Sequence, residues 1–178
     1  MLKKLKPPPE LAGCSFLSGK AGSFSDTPQR TVQKWTDDNL IIPPSGEPNG
    51  TGDRRQYSVL NCIEIGIIKS LAKDRVSFRV ISEVMKTLRE GRPLTFEEAL
   101  ADDKAFLIIR FYEPDKHEIS CVSNEHWGSQ AGIENETRDF QTFWIDTTIP
   151  KDDQFQKSMV VDLSYIARKI LDKMLEQK

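Results

Sequence analysis

Between Leu60 and Leu88 apolar side chains recur at helical spacing in two successive stripes: Leu60, Ile63, Ile67, Ile68, Leu71, then Val80, Ile81, Val84, Met85, Leu88. A stripe of that period has one face to bury, so two in tandem commit this stretch to a pair of amphipathic helices packed into a core. Only the linker Asp74-Arg75-Val76 separates them; Ser77 is placed to cap the second helix, and Gly91 and Pro93 to close it. With 178 residues, 38% hydrophobic and 29% charged, the chain has room for one domain with an appendage or two small ones, and no apolar run fit to span a bilayer.

Ahead of the stripes, residues 1–15 read as a flexible tail carrying the triplet Pro7-Pro8-Pro9. Leu11-Ala12-Gly13-Cys14 looks like a lipoprotein cleavage box, but Lys6, the prolines and Glu10 occupy the place where an export signal needs apolar residues, so a cytoplasmic protein is expected. Cys14, Cys62 and Cys121 are odd in number and far apart, which fits neither a disulfide framework nor a zinc site and points to a reducing compartment.

Ser18 to Phe24 reads as a short helix. Thr27 as N-cap and Pro28 at the first helical position then predict a second helix through Thr36. Val32 and Trp35 make its buried side, leaving Gln29, Arg30, Gln33 and Lys34 on the opposite face with no carboxylate until Asp37. Asn39 is the expected terminator. Leu40-Ile41-Ile42 and Arg54-Arg55-Gln56-Tyr57 read as the two arms of a hairpin, a wing, around a loop rich in turn-forming residues.

Beyond Pro93 the texture changes to strands. Ala105 to Tyr112 and Glu118 to Ser123 predict an antiparallel pair around a turn at Pro114-Asp115-Lys116. A polar loop to Arg138 and a third strand within Phe140 to Ile149 follow, and the chain closes on a helix from about Ser158 to Glu176, with Val160, Leu163, Ile166, Ile170 and Met174 as its stripe. Charge divides along the same line. Residues 1–95 carry 15 basic and 10 acidic side chains, and the remainder 10 and 17, so a polyanionic partner would meet the first half and be repelled by the second.

Catalysis lacks a constellation. His117, Cys121 and His126 lie close in sequence, but a further ligand at metal-site spacing is missing. Asp37-Asp38, Asp102-Asp103 and Asp152-Asp153 are adjacent pairs whose side chains diverge, and the chain has no phosphate-binding glycine loop or Gly-x-Ser-x-Gly turn. The expectation is therefore a protein that is not an enzyme and uses no metal or other cofactor.

An ordered set of fragments over residues 18–90 resembles the MerR-type winged helix-turn-helix: Thr31-Val32-Gln33-Lys34-Trp35, Asn39-Leu40-Ile41-Ile42-Pro43, Arg55-Gln56-Tyr57-Ser58, and the stripe from Leu60. Gly22 stands where that family usually has alanine. The resemblance implies an α+β chain whose residues 16–92 form a winged helix-turn-helix, with residues 93–178 forming an accessory α+β domain of antiparallel sheet and terminal helix for effector binding or dimerisation. It further implies a sequence-specific regulator of transcription that binds double-stranded DNA, as a homodimer on two-fold sites.

In that arrangement Arg30 pairs with guanine and Gln29 and Gln33 with adenine, with Thr31 beside them, whereas Lys34, Arg54 and Arg55 and the Tyr57 hydroxyl hold phosphates. Bland alternatives stand next to these roles: Trp35 as core, Tyr57 as packing under the wing, and the two arginines as solvated charges. An excisionase-like accessory protein of a phage or mobile element is the nearest rival function. A protein-interaction adaptor whose winged helix no longer binds DNA comes third.

Overall fold

The computed structural model describes residues 8–44, 54–90, 105–111, 117–123, 142–145 and 157–177. Helices and strands are mixed and both sheets are antiparallel, an α+β architecture. The chain divides into two compact units, Pro7–Met85 with Ile166–Lys178, and Lys86–Tyr165. The border expected after Arg92 lies outside the described residues, as do the closing Gly91 and Pro93, the wing loop at 45–53, the turn at 114–116 and the polar loop after Ser123.

The first unit opens with a single turn of 3-10 helix, Pro9–Leu11, whose Leu11 is buried, so the described part of the expected tail contributes a core side chain. Strand β1 (Ser15–Leu17) then runs straight into helix α1 (Ser18–Ser23), followed by α2 (Gln29–Asp37), β2 (Gln56–Ser58) and α3 (Val59–Lys73). Helix α4 (Phe78–Glu90) comes next. Ser77 caps it as expected, its hydroxyl accepting from the Val80 amide at 3.4 Å. The five apolar residues of its stripe are all buried.

The hairpin differs from its expected form. The strand that pairs with Arg55-Gln56-Tyr57-Ser58 is β1, in antiparallel register Ser15 to Ser58, Phe16 to Tyr57 and Leu17 to Gln56, not the segment Leu40-Ile41-Ile42. The reason lies at the end of α2. Asn39 takes a left-handed backbone, φ 58°, its N–H donates to Thr36 O, and the Leu40 N–H donates to Trp35 O, which together close a Schellman turn. Ile41 also donates to Trp35 O, Leu40 and Ile41 are buried, and Pro43 and Pro44 have no N–H to offer a ladder.

Helix α3 is the centre of this unit. Ser58 caps it in a reciprocal box with Asn61: Ser58 Oγ accepts from the Asn61 amide at 3.2 Å and Asn61 Oδ1 accepts from the Ser58 amide at 3.0 Å. Asn61 Nδ2 reaches the Ile42 carbonyl at 3.1 Å, which ties the segment after α2 to α3. Residues Asn61 through Ile68 are buried on every side of the helix, so the enclosure goes beyond the predicted stripe, whose first member, Leu60, is only half-buried.

In the second unit β3 (Ala105–Phe111), β4 (His117–Ser123), β5 (Thr142–Ile145) and β6 (Lys157–Asp162) form a sheet of order β4-β3-β6-β5. The predicted β3–β4 pair is present, and β5 falls within the third candidate strand. The terminal helix is a correction. Residues 157–162 are a central strand, with Ser158, Met159, Val160 and Val161 all buried between β3 and β5, and only at Leu163 does α5 (Leu163–Glu176) begin. Asp162 caps it, Oδ1 accepting from the Tyr165 amide at 2.8 Å. From Ile166 onward α5 belongs to the first unit, where Ile166 and Ile170 press on Gly66 of α3.

Candidate nucleic-acid interface

The link between α1 and α2 is a tight structure with many ties. The Thr27 amide donates to Gly22 O at 2.8 Å and the Asp26 amide to Ser23 O at 3.2 Å, a second Schellman turn with Asp26 left-handed at φ 52°. Thr27 does not act as the N-cap of α2. That place falls to Pro28 with no side-chain bond, because the buried Thr27 hydroxyl is engaged with Ser25 Oγ at 2.9 Å. The Pro28 carbonyl still opens the helix by accepting from the Thr31 and Val32 amides.

Gly22 makes the close approach of the two helices feasible: a Cβ there would overlap the Thr27 carbonyl oxygen and sit 3.0 Å from Val32 Cγ2. Two lysines pin the link from outside. Lys69 of α3 donates to Ser25 O at 2.5 Å and to Asp26 O at 3.1 Å. Lys173 of α5 pairs with Asp26 at 2.7 Å, and its hydrogen bond holds the Asp26 carboxyl below its ordinary value. Lys20 reaches Gln177 at 2.8 Å and lies over the Phe24 ring, which meets Phe16 edge-on at 5.0 Å.

On α2 itself the two sides separate as predicted. Val32, Trp35 and Thr36 are buried, while Gln29, Arg30, Gln33 and Lys34 are exposed and Thr31 is half-buried. Gln29, Arg30 and Gln33 make no hydrogen bond or ion pair among the described residues, so one end of the helix presents amides and a guanidinium to solvent. The other end is different. Lys34 is bound to Asp38 at 3.0 Å, and Arg55 of the strand arm is bound to Asp37 at 2.5 Å.

Two residues of the predicted set change role. The Tyr57 side chain is fully buried, its hydroxyl 3.0 Å from Thr36 Oγ1, so it does not reach outward to a phosphate. Its ring fills the space between β2 and α2, and the hydroxyl finds a partner inside because a buried phenol must. Arg55 is 19% exposed at its side chain and ties β2 to the end of α2, whereas its neighbour Arg54 is exposed.

No family model matches this sequence, and no curated protein does. The interface therefore rests on its own geometry. Among the described residues no cluster of three or more His, Cys, Asp or Glu side chains is placed to hold a metal ion, and no helix is long and apolar enough to cross a membrane. His126 lies outside the described residues, and His117 sits at the first position of β4, paired with Phe111.

The sequence reading missed Asp26, Lys69 and Lys173 as the ties of the link. No local pattern marks them, since Lys69 and Lys173 come from helices remote in sequence. Asp37 and Asp38 were legible as charges, but the partner of Asp37 was not, because Arg55 stands 18 residues on, beside β2.

Proposed function

We propose that the first unit is a winged helix-turn-helix of MerR type, and that the chain is a sequence-specific regulator of transcription that binds double-stranded DNA. The observation that carries this reading is α2. Its apolar side is sunk into the unit, while Gln29, Arg30 and Gln33 stand together in solvent with no hydrogen-bond or ion-pair partner among the described residues, on a helix tied down by the link before it and the Schellman turn after it. An amide and a guanidinium are the groups that read adenine and guanine edges in a major groove, and the N-terminal residues of a recognition helix are the ones that arrive there. Arg54, exposed beside β2, serves as the phosphate contact of the wing. A homodimer would supply two readers for a two-fold site.

The test is to select duplexes from a random pool with the purified protein, then measure anisotropy titrations against the selected and a mixed sequence at several salt concentrations. Affinity should fall steeply with salt, and Arg30→Ala should cost about 1 to 3 kcal/mol on the selected duplex and far less on the mixed one. Arg54→Ala should weaken both alike and reduce the salt slope by about 0.9. Absence of salt-dependent binding to any duplex refutes the reading, and equal losses for Arg30→Ala on both duplexes remove it as a base reader.

A further inference from the structure

Along α2 the charges are graded. The N-terminal end carries Arg30, which has no partner among the described residues, whereas the C-terminal end carries two consecutive carboxylates that each bind a cation: Asp38 holds Lys34 at 3.0 Å and Asp37 holds Arg55 at 2.5 Å. Lys34 remains 71% exposed at its side chain, so a phosphate can approach it, but in competition with Asp38. Carboxylates at a helix C-terminus also oppose the helix dipole, so they bring α2 no stability of their own by being there.

Resting on the reading that α2 faces DNA, we propose that Asp37 and Asp38 regulate that site as built-in competitors of the phosphate backbone. They keep Lys34 and Arg55 bound within the protein, suppress sequence-independent binding, and leave the base-reading end of α2 as the main attraction. Sequence-independent affinity comes from cations that meet phosphates. A cation already paired must exchange one anion for another, and the gain falls to the difference between them. Arg55 in this scheme is a positioning residue for β2, and Lys34 is a phosphate contact held in check.

The experiment titrates a mixed-sequence duplex at one fixed low salt with the full chain and with Asp38→Asn, Lys34→Gln and the double variant. An exposed ion pair is weak, so Asp38→Asn should tighten binding by about two- to five-fold. Lys34→Gln should weaken it, and in the Lys34→Gln background the gain from Asp38→Asn should largely vanish, since it acts by freeing that lysine. Asp38→Ser serves as a second variant, and a misfolded protein loses affinity and does not gain it. Unchanged or weaker binding by both Asp38 variants, while the parent binds the duplex, overturns this inference alone. A gain of equal size with and without Lys34 also overturns it, because it would reflect removal of a bulk charge. No binding by any of the proteins overturns the DNA reading and this inference together.

Discussion

Replacing Gly22 by alanine tests the packing of the helix pair most directly. In a helix the substitution is ordinarily favourable by about 1 kcal/mol. Here the added methyl would overlap the carbonyl oxygen of Thr27 and lie 3.0 Å from Val32 Cγ2. The oxygen belongs to the backbone, so no rotamer change relieves the overlap. The same Thr27 residue donates its amide to Gly22 O at 2.8 Å, so drawing the two apart strains the bond that closes the turn.

Overpacking of this kind costs about 1 to 3 kcal/mol, and a weakened turn bond adds roughly another 0.5 to 1.5. After subtracting the propensity gain, Gly22→Ala should destabilise the chain by about 0.5 to 3.5 kcal/mol, read as a lower urea midpoint by circular dichroism. Gly19→Ala is the control on the same helix, where the nearest atom to the new methyl is the movable Gln29 Oε1 at 3.3 Å, and it should be neutral or stabilising. If Gly22→Ala matches or exceeds the parent in stability, or if Gly19→Ala costs as much, the close approach is not what glycine provides there.

Arg75 ends α3 in a third Schellman turn, left-handed at φ 60° with its amide on Ala72 O and the Val76 amide on Leu71 O, so Arg75→Gly should raise the urea midpoint by the equivalent of about 0.5 to 1 kcal/mol, and a fall would contradict the strain argument. Because the Lys173 hydrogen bond depresses the folded Asp26 carboxyl, its stabilisation is complete above the unfolded value near 3.8 and drains away as pH falls toward the folded value; denaturation profiles taken below about pH 5 should therefore flatten in Lys173→Gln relative to the parent. Burial pushes the Cys62 thiol up to about 12, so a thiol reagent at neutral pH should label Cys62 only after denaturant is added, and peptide mapping that finds it modified in the native protein would refute its enclosure.

Where one face had to be buried, the sequence disclosed it. The stripes of α3 and α4, the burial of Val32 and Trp35, and the β3–β4 pair follow from period and composition alone. Residues 157–162 differ from the expected helix because Met159, Val160 and Val161 are buried consecutively, an apolar run equally at home in a central strand or a helix. β1 has three residues and no period to show. Of the interface, the exposed amides and Arg30 were legible, since they are defined by what the opposite face buries. The inward turn of Tyr57 and the capture of Arg55 were not, because both depend on which strand lies beside α2, and Leu40-Ile41-Ile42 had the better strand composition but no free ladder edge.

The packing of Ile166 and Ile170 onto Gly66 also bears on how the protein is born. During synthesis, everything through α4 leaves the ribosome with the groove over Gly66 still bare, and the lysine that secures Asp26 has yet to be translated. The first unit is therefore completed only after the whole four-stranded sheet has emerged, so a nascent chain halted anywhere before residue 166 exposes an unfinished core.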